Sequence, residues 1–328
     1  MSLCSGWCRS ALTYSLSPHP LFLSLTGLID KLTGHLLPWH LASRSTELPP
    51  TPGGVLGTFA VIIPEVEDVF EVDEQAFWCT LRLTEIILPL CIAKIGDMAF
   101  MDCSSLVKVT LLPGLTEIGE FAFRDCSSLR SIMLPSTLTK IGQGAFRGCT
   151  SLAVVTLPDN LVEIGAGAFK ECMSLAEITL PPSLVEIGDA VFSGCSCLSD
   201  VTLPPTLAEI GRSFFSECTS LVEITLPPTL VKIKEDAFSN CAALASITLP
   251  PDLAEIEAVA FSNCPALAKI TLPPGLTVVG RRAFARCSSL TTVTVLGGRT
   301  VNICPDAFDG CPWAPQESKE SGMGCLTM

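Results

Sequence analysis

The chain has 328 residues, of which 48% are hydrophobic and 6% aromatic, and its formal net charge at pH 7 is −13. An acidic balance of this size argues against a nucleic-acid partner, because phosphate binding needs a basic surface. No stretch of the sequence reaches the ~18 uninterrupted apolar residues that a membrane-spanning helix needs.

Residues 1–59 do not show the regularity of the rest of the chain. The first 29 residues contain no Asp or Glu, and Arg9 precedes an apolar run at residues 21–29. A transit or signal peptide has these features, but Pro18 and Pro20 precede the run, and no small-x-small cleavage site follows it. We therefore predict an irregular N-terminal extension, with a cleaved targeting segment as the alternative.

Residues 60–82 resemble the repeats that follow them, in degraded form. Ala76 and Phe77 stand 23 residues before Ala99 and Phe100, whereas Cys79 arrives one place early. Terminal repeats are expected to be atypical because one of their faces meets water. This segment is predicted to be an N-terminal cap.

A 23-residue pattern is repeated nine times from Leu83 to Ser289, and a tenth unit, Leu290 to Trp313, is one residue longer. Each unit reads L-x-x-[IV]-x-L-P-P-x-L-x-x-[IV]-G-x-x-A-F-x-x-C-x-x. A fixed period in the twenties predicts a solenoid, in which each coil buries its apolar positions against its neighbours. The predicted structural ladder at its centre comprises Phe146, Phe169, Phe192 and Phe215 with Cys149, Cys172, Cys195 and Cys218.

The order of residue types within a unit predicts its secondary structure. Alternation at 178–180 indicates a short strand, which Pro181 ends because proline lacks the ladder donor. Residues 184–187 form a second extended piece, and Gly188 allows a turn. Apolar residues recur near helical spacing over 190–198, which predicts a helix of one or two turns. The predicted class is α/β, a parallel stack of short strands with a short helix or turn in each repeat.

The phrase IGxxAFxxCxxL after an LxxIxLP strand resembles the BspA-like leucine-rich repeats. The likeness extends from Leu83 to about Cys311. It implies a right-handed parallel stack of strands, of the kind found in surface or adhesion proteins of bacteria and protists. A fold does not by itself imply an activity, so the likeness indicates architecture first.

Ten of the seventeen cysteines occupy one column of the repeat. A free cysteine behaves as a small buried hydrophobe, so core packing is the default explanation for this column. Stacked neighbours lie roughly 5 Å apart, within disulfide range, but their side chains are expected to point inward in parallel. Unpaired cysteines favour a reducing, intracellular compartment, whereas the family likeness suggests the cell surface.

Two columns of the strand are predicted to face outward. They form the candidate binding face: Glu177, Thr179, Asp200, Thr202, Glu223, Thr225, Thr248, Lys269 and Thr271. Regular Thr hydroxyls are also typical of ice-binding solenoids, which we keep as a remote alternative; β-branched Thr is simply a good exposed strand residue. A separate column on the second extended piece holds Glu163, Glu186 and Glu209, for which a solvated face is expected ahead of a cation site.

The sequence gives no sign of catalysis. All three histidines, His19, His35 and His40, precede the repeats, so the array contains no Ser-His or Cys-His couple. The Gly pairs at 142–144 and 165–167 lack the third Gly before a long helix that a phosphate loop needs. We predict a non-enzymatic protein with no cofactor and no metal.

The predicted C-terminal tail, residues 314–328, is flexible and ends in Cys325-Leu-Thr-Met. These four residues fit the C-a-a-X prenylation motif, although Thr327 is a poor second aliphatic residue. One lipid on Cys325 would give weak membrane association.

These observations favour a scaffold that binds proteins through the exposed strands of the solenoid. The alternative is an intracellular or membrane-peripheral adaptor tethered through Cys325.

Overall fold

The computed structural model describes residues 71–296 and 300–313, together with the backbone of two earlier strands. The earlier strands are β1 (Leu21–Ser24) and β2 (Phe59–Ile62). They pair in parallel with each other, and β2 pairs with the first strand of the array. β1 therefore lies within the predicted N-terminal extension.

Each coil of the array contributes one strand of three to five residues to its long-strand side. These strands are β4 (Leu83–Ile87), β6 (Lys108–Thr110), β8 (Ser131–Met133), β10 (Val154–Thr156), β12 (Glu177–Thr179), β14 (Asp200–Thr202), β16 (Glu223–Thr225), β18 (Ser246–Thr248), β20 (Lys269–Leu272) and β22 (Thr292–Val295). Alternation sets the burial of each, so that Ile178 is buried while its two neighbours in β12 are exposed.

A two-residue strand from each coil forms the short-strand side. These strands are β3 (Glu71–Val72), β5 (Lys94–Ile95), β7 (Glu117–Ile118), β9 (Lys140–Ile141), β11 (Glu163–Ile164), β13 (Glu186–Ile187), β15 (Glu209–Ile210), β17 (Lys232–Ile233), β19 (Glu255–Ile256), β21 (Val278–Val279) and β23 (Asn302–Ile303). They form a six-stranded sheet from β3 to β13 and a five-stranded sheet from β15 to β23.

All strand pairs are parallel, and equivalent residues of successive coils face each other. Thr179 pairs with Thr202, for example, and Glu163 pairs with Glu186. The repeat period therefore sets the register, and the chain forms a parallel solenoid with about one coil per repeat.

Phe rings at the repeat position stack through the core. Successive ring centroids from Phe77 to Phe308 lie 5.0 to 5.8 Å apart. Trp313 closes the C-terminal end with an edge contact on Phe308, at 4.6 Å. The ladder residues predicted from the sequence, Phe146 to Phe215 and Cys149 to Cys218, are fully buried.

The third side of each coil is a chain of tight turns, and the described residues contain no helix. In coil five (residues 175–197), the N–H groups of Ala190, Phe192 and Gly194 donate to carbonyls of the next coil at 2.7 to 3.0 Å. Alternate N–H groups close turns three residues back, as from Ser193 to Ala190 O at 3.2 Å and from Cys195 to Phe192 O at 3.1 Å. The predicted helix is not found, because half of its donors bond along the stack instead. We call this the turn side.

Two residues of a typical turn adopt positive φ, in coil five Ala190 (56°) and Gly194 (77°). Gly188, at which we predicted the turn, does not adopt positive φ. Its small size serves close stacking, because a Cβ there would stand 2.3 Å from the backbone nitrogen of Ala166. Glycine at this position lets neighbouring coils touch.

Candidate functional site

The long-strand side presents the predicted binding face to solvent. All nine predicted residues are exposed: Glu177, Thr179, Asp200, Thr202, Glu223, Thr225, Thr248, Lys269 and Thr271. They come together because β12 and β14 pair in register, as do β16 and β18. The Thr hydroxyls and the charged groups therefore form two adjacent rows across successive coils.

The proline pairs that end these strands build a wall beside the rows. The first proline of a pair is buried and the second is exposed, as at Pro181 and Pro182. The wall and the strand surface enclose shallow grooves. One, of about 430 Å³, is lined by Glu177, Thr179, Pro182 and Thr202 among others.

Two further grooves continue along the same face. A groove of about 410 Å³ is lined by Glu223, Thr225, Pro228 and Thr248, among others. The other, of about 560 Å³, adds Lys269, Thr271 and Leu296. The grooves supply concave surface with apolar walls and hydroxyl and carboxylate groups, which is the composition of a recognition surface.

Sequence reasoning did not identify two features of this face. The prolines were predicted only to end strands. Their position in the wall of a groove can be seen only when the coils are stacked. Met133, which is 84% exposed, replaces Thr in coil three, and the neighbouring Val154 is 54% exposed. The two side chains make the face more apolar at coils three and four, and their positions in the repeat are the sequence feature that could have identified this.

Charges on the long-strand side are less balanced than those on the short-strand side. Among the described residues, the acidic row Glu177, Asp200 and Glu223 contributes to no ion pair, although Lys108 binds Glu85 at 2.6 Å nearer the N-terminus. Exposed ion pairs contribute little to stability. Because this row makes none, its carboxylates act through the negative electrostatic potential that they create at the surface.

Lysines neutralise most of the glutamate column on the short-strand side. Lys140 lies 3.2 Å from Glu163, and Lys234 lies 2.6 Å from Glu209. Lys232 contacts Glu255 at 3.0 Å. The described residues form no group of side chains able to hold a metal ion. The column is a solvated face crossed by ion pairs.

The cysteine column forms a regular set of hydrogen bonds inside the core. Each thiol donates to the carbonyl of the Phe in the preceding coil, as from Cys195 Sγ to Phe169 O at 3.2 Å and from Cys218 Sγ to Phe192 O at 3.2 Å. All cysteines in the described part of the chain are free. Burial raises the pKa of Cys195 to about 12, which keeps this thiol protonated at neutral pH.

The sequence of the array matches the protein family described as the BspA type leucine rich repeat region, over residues 71–199 and 185–313. The chain belongs to this family. Its repeats are therefore BspA-type leucine-rich repeats from the cap through the tenth unit. Families of this solenoid type generally serve as non-enzymatic scaffolds.

Several solved structures resemble the BspA-type array. A leucine-rich repeat protein from Bacteroides ovatus is 26% identical, with a TM-score of 0.46 over 77% of this chain and 85% of that one. The T. pallidum leucine-rich repeat protein is 30% identical, with a TM-score of 0.43 over 57% and 78%. The pneumococcal vaccine antigen PcpA is 23% identical, with a TM-score of 0.51 over 73% and 72%, and shows the same fold. No curated protein matches the chain.

Other predictions for this BspA-type chain concern parts that the structure does not describe. Cys325 and the tail lie outside the described residues, as does most of the N-terminal extension. Over the ranges that are described, no helix has the length and apolar character to cross a bilayer. Prenylation of Cys325 and cleavage of the extension stay predictions.

Proposed function

We propose that the chain is a protein-binding scaffold that recognises its partner through the grooves of the long-strand side. The observation that carries this proposal is the continuity of the exposed rows: equivalent groups recur in every coil from 177 to 271, beside a wall of proline. Solenoids offer extended surfaces of this kind, and each coil adds a further contact without altering the scaffold.

The rigidity of the face supports this role. Its strands are fixed by inward Ile and Leu side chains packed on the Phe stack, so the outward groups are held in position before binding. A preorganised surface loses less conformational entropy on binding than a flexible one. The other two sides are less suited, because one is crossed by ion pairs and the other consists of tight turns.

The test compares three single arginine substitutions within coil seven (residues 221–243), one for each side. Thr225→Arg lies on the long-strand side, Val231→Arg on the short-strand side and Ala242→Arg on the turn side, and all three positions are exposed. Tagged full-length protein is incubated with extracts from its source, and retained proteins are quantified by mass spectrometry.

We expect a retained protein whose recovery falls about tenfold or more with Thr225→Arg, since a tenfold loss corresponds to about 1.4 kcal/mol. Val231→Arg and Ala242→Arg should retain it as the wild type does. Equal recovery with all four proteins, or loss with a control and not with Thr225→Arg, would contradict the proposal. Far-UV circular dichroism verifies that every variant is folded.

A further inference from the structure

We call the contact between two successive coils a joint. One joint of the array lacks the backbone hydrogen bonds that connect successive coils on the short-strand side elsewhere, and we describe it as open. At the other joints, each coil donates backbone N–H groups to the preceding coil; in coil five, Val185 and Glu186 donate to Val162 O and Gly188 donates to Ile164 O, at 2.8 to 3.2 Å. Between coil five and coil six (residues 198–220), both of which are fully described, no backbone–backbone bond forms on the short-strand side, and the N–H of Arg212 donates instead to the side-chain oxygen Asp189 Oδ1 at 2.8 Å. β13 therefore ends one sheet and β15 begins the next.

One side chain of coil six departs from the repeat at this joint. The residue before the repeat Phe is small in the neighbouring coils, as in Val191 and Ala237, but coil six has Phe214. Its ring is 1% exposed and makes edge contacts with Phe192 at 5.6 Å and with Phe215 at 4.8 Å. An additional ring in a close-packed core displaces backbone.

The displaced backbone is the short strand of coil six. A ring carbon of Phe214 and the backbone oxygen of Gly188 in coil five each stand 3.3 Å from the place of a Cβ on Gly211. The nearest atom of coil five to that place is Asp189 Oδ1 at 3.0 Å, whereas a Cβ on Gly188 would meet Ala166 N at 2.3 Å. The ring thus lies against the short strand of coil six, and the backbones of the two coils approach less closely there than in the preceding joint.

Two apolar side chains are more exposed to solvent at this joint than their equivalents in neighbouring coils. Ile187 and Leu207 are half-buried, whereas the equivalent Ile164 and Leu230 are at most 1% exposed. They line a cleft of about 260 Å³. Ser183 Oγ donates to Leu161 O at 2.6 Å in the preceding joint, whereas Thr206, at the equivalent position of this fully described joint, makes no such bond to coil five.

The other two sides of the same joint remain closed. β12 and β14 pair in full register on the long-strand side. On the turn side, Ala190 N donates to Arg212 O at 2.7 Å and Gly194 N donates to Ser216 O at 2.7 Å. Coils five and six are therefore bonded along two sides and lack the backbone ladder along the third, which is the geometry of a hinge.

We propose that this joint is a hinge built into the solenoid and that Phe214 holds it open. Opening and closing of the short-strand edge between β13 and β15 bends the array at coil six. The two halves of the array, before and after the joint, each keep an unbroken short-strand ladder and move as units. The pairing of β12 with β14 is kept, so the rows of the long-strand side stay in register as the array bends.

Hydrogen exchange of the full-length protein tests the hinge directly. The amides of Ala208, Glu209 and Gly211 should exchange at least about tenfold faster, after correction for intrinsic rates, than those of Val185, Glu186 and Gly188 one coil earlier, because their bonds are missing. Equal protection of the two sets of amides would overturn the hinge.

The variant Phe214→Val tests the cause, since Val is present at this position in coil five. We expect protection of the coil six amides to rise by about tenfold, toward that of coil five. Val191→Ala is the matched control and should leave the contrast between the coils unchanged. If folded Phe214→Val shows no gain in protection, Phe214 does not hold the joint open; if that variant fails to fold, the wild-type contrast decides.

Discussion

At the scale of the residue, the cysteine column illustrates how a polar group is accommodated in an apolar core. A thiol is small enough to fill the space beside the Phe stack, and its S–H satisfies a carbonyl of the preceding coil, as between Cys241 and Phe215 at 3.2 Å. A buried polar group without a partner would cost stability. The column therefore serves both packing and hydrogen bonding.

This arrangement predicts selective thiol reactivity. Iodoacetamide at pH 9 should modify the exposed Cys79 and Cys197 of the folded chain and spare Cys103, Cys195 and Cys241. Burial raises the pKa of each of the latter three to about 12, so their thiols are still protonated at pH 9, whereas an unfolded thiol is mostly ionised. Peptide mapping by mass spectrometry gives the result.

The control is the same reaction in denaturant, which should modify all 17 cysteines. Modification of the column in the folded chain at the rate of Cys197 would show that these thiols are not held in the core.

Sequence reasoning and structure can also be compared at this scale. Burial of Phe192 and exposure of Thr202 follow from alternation and period, because residue type and spacing determine the side that faces inward. The positive φ of Phe121 (55°) and Val259 (52°) could not be predicted, since neither residue favours that conformation. The stack imposes it, because these turns must send every second N–H group to the next coil.

At the scale of the element, each coil is too small to bury its own apolar residues and depends on its neighbours. Phe192 is fully buried and contacts Phe169, Phe214 and Phe215. Its ring therefore packs against the coils before and after its own, and its removal is expected to lower the stability of all three coils.

Phe192→Ala should lower the free energy of unfolding by about 3–5 kcal/mol, through lost burial and the cavity left behind. Thr202→Ser is the control, because Thr202 is exposed and the change should cost about 0.5 kcal/mol or less. Urea denaturation followed by circular dichroism measures both. Equal midpoints for the two variants would mean that the Phe stack does not stabilise the array.

The strands could be predicted from the sequence and the third side could not. Ile178 and Thr179 alternate as a strand requires, and Pro181 ends it. Spacings of two and three residues at 190–195 suit a helical turn and also a chain of tight turns. The choice depends on whether the donors bond within the coil or along the stack, which is decided by contacts between coils.

At the scale of the whole molecule, stacking combines the few outward-facing groups of each repeat into an extended surface. A single coil offers one Thr and one charged or polar group, whereas adjacent coils offer rows and grooves. Phe214 shows the opposite effect: its departure from the repeat can be read in the sequence, but the open joint that it produces appears only when the coils are packed. Membership of the BspA-type family accounts for the scaffold, and the partner depends on the outward residues.

The central claim is that a partner binds the long-strand side. Its most direct test is a photo-crosslinking amino acid placed singly at Thr225, Val231 or Ala242 of the full-length chain, in the presence of the protein partner retained by the wild type. We expect a crosslinked product from position 225 and little or none from positions 231 and 242. Products from 231 or 242 in place of 225 would contradict the claim and assign the binding surface to another side of the solenoid.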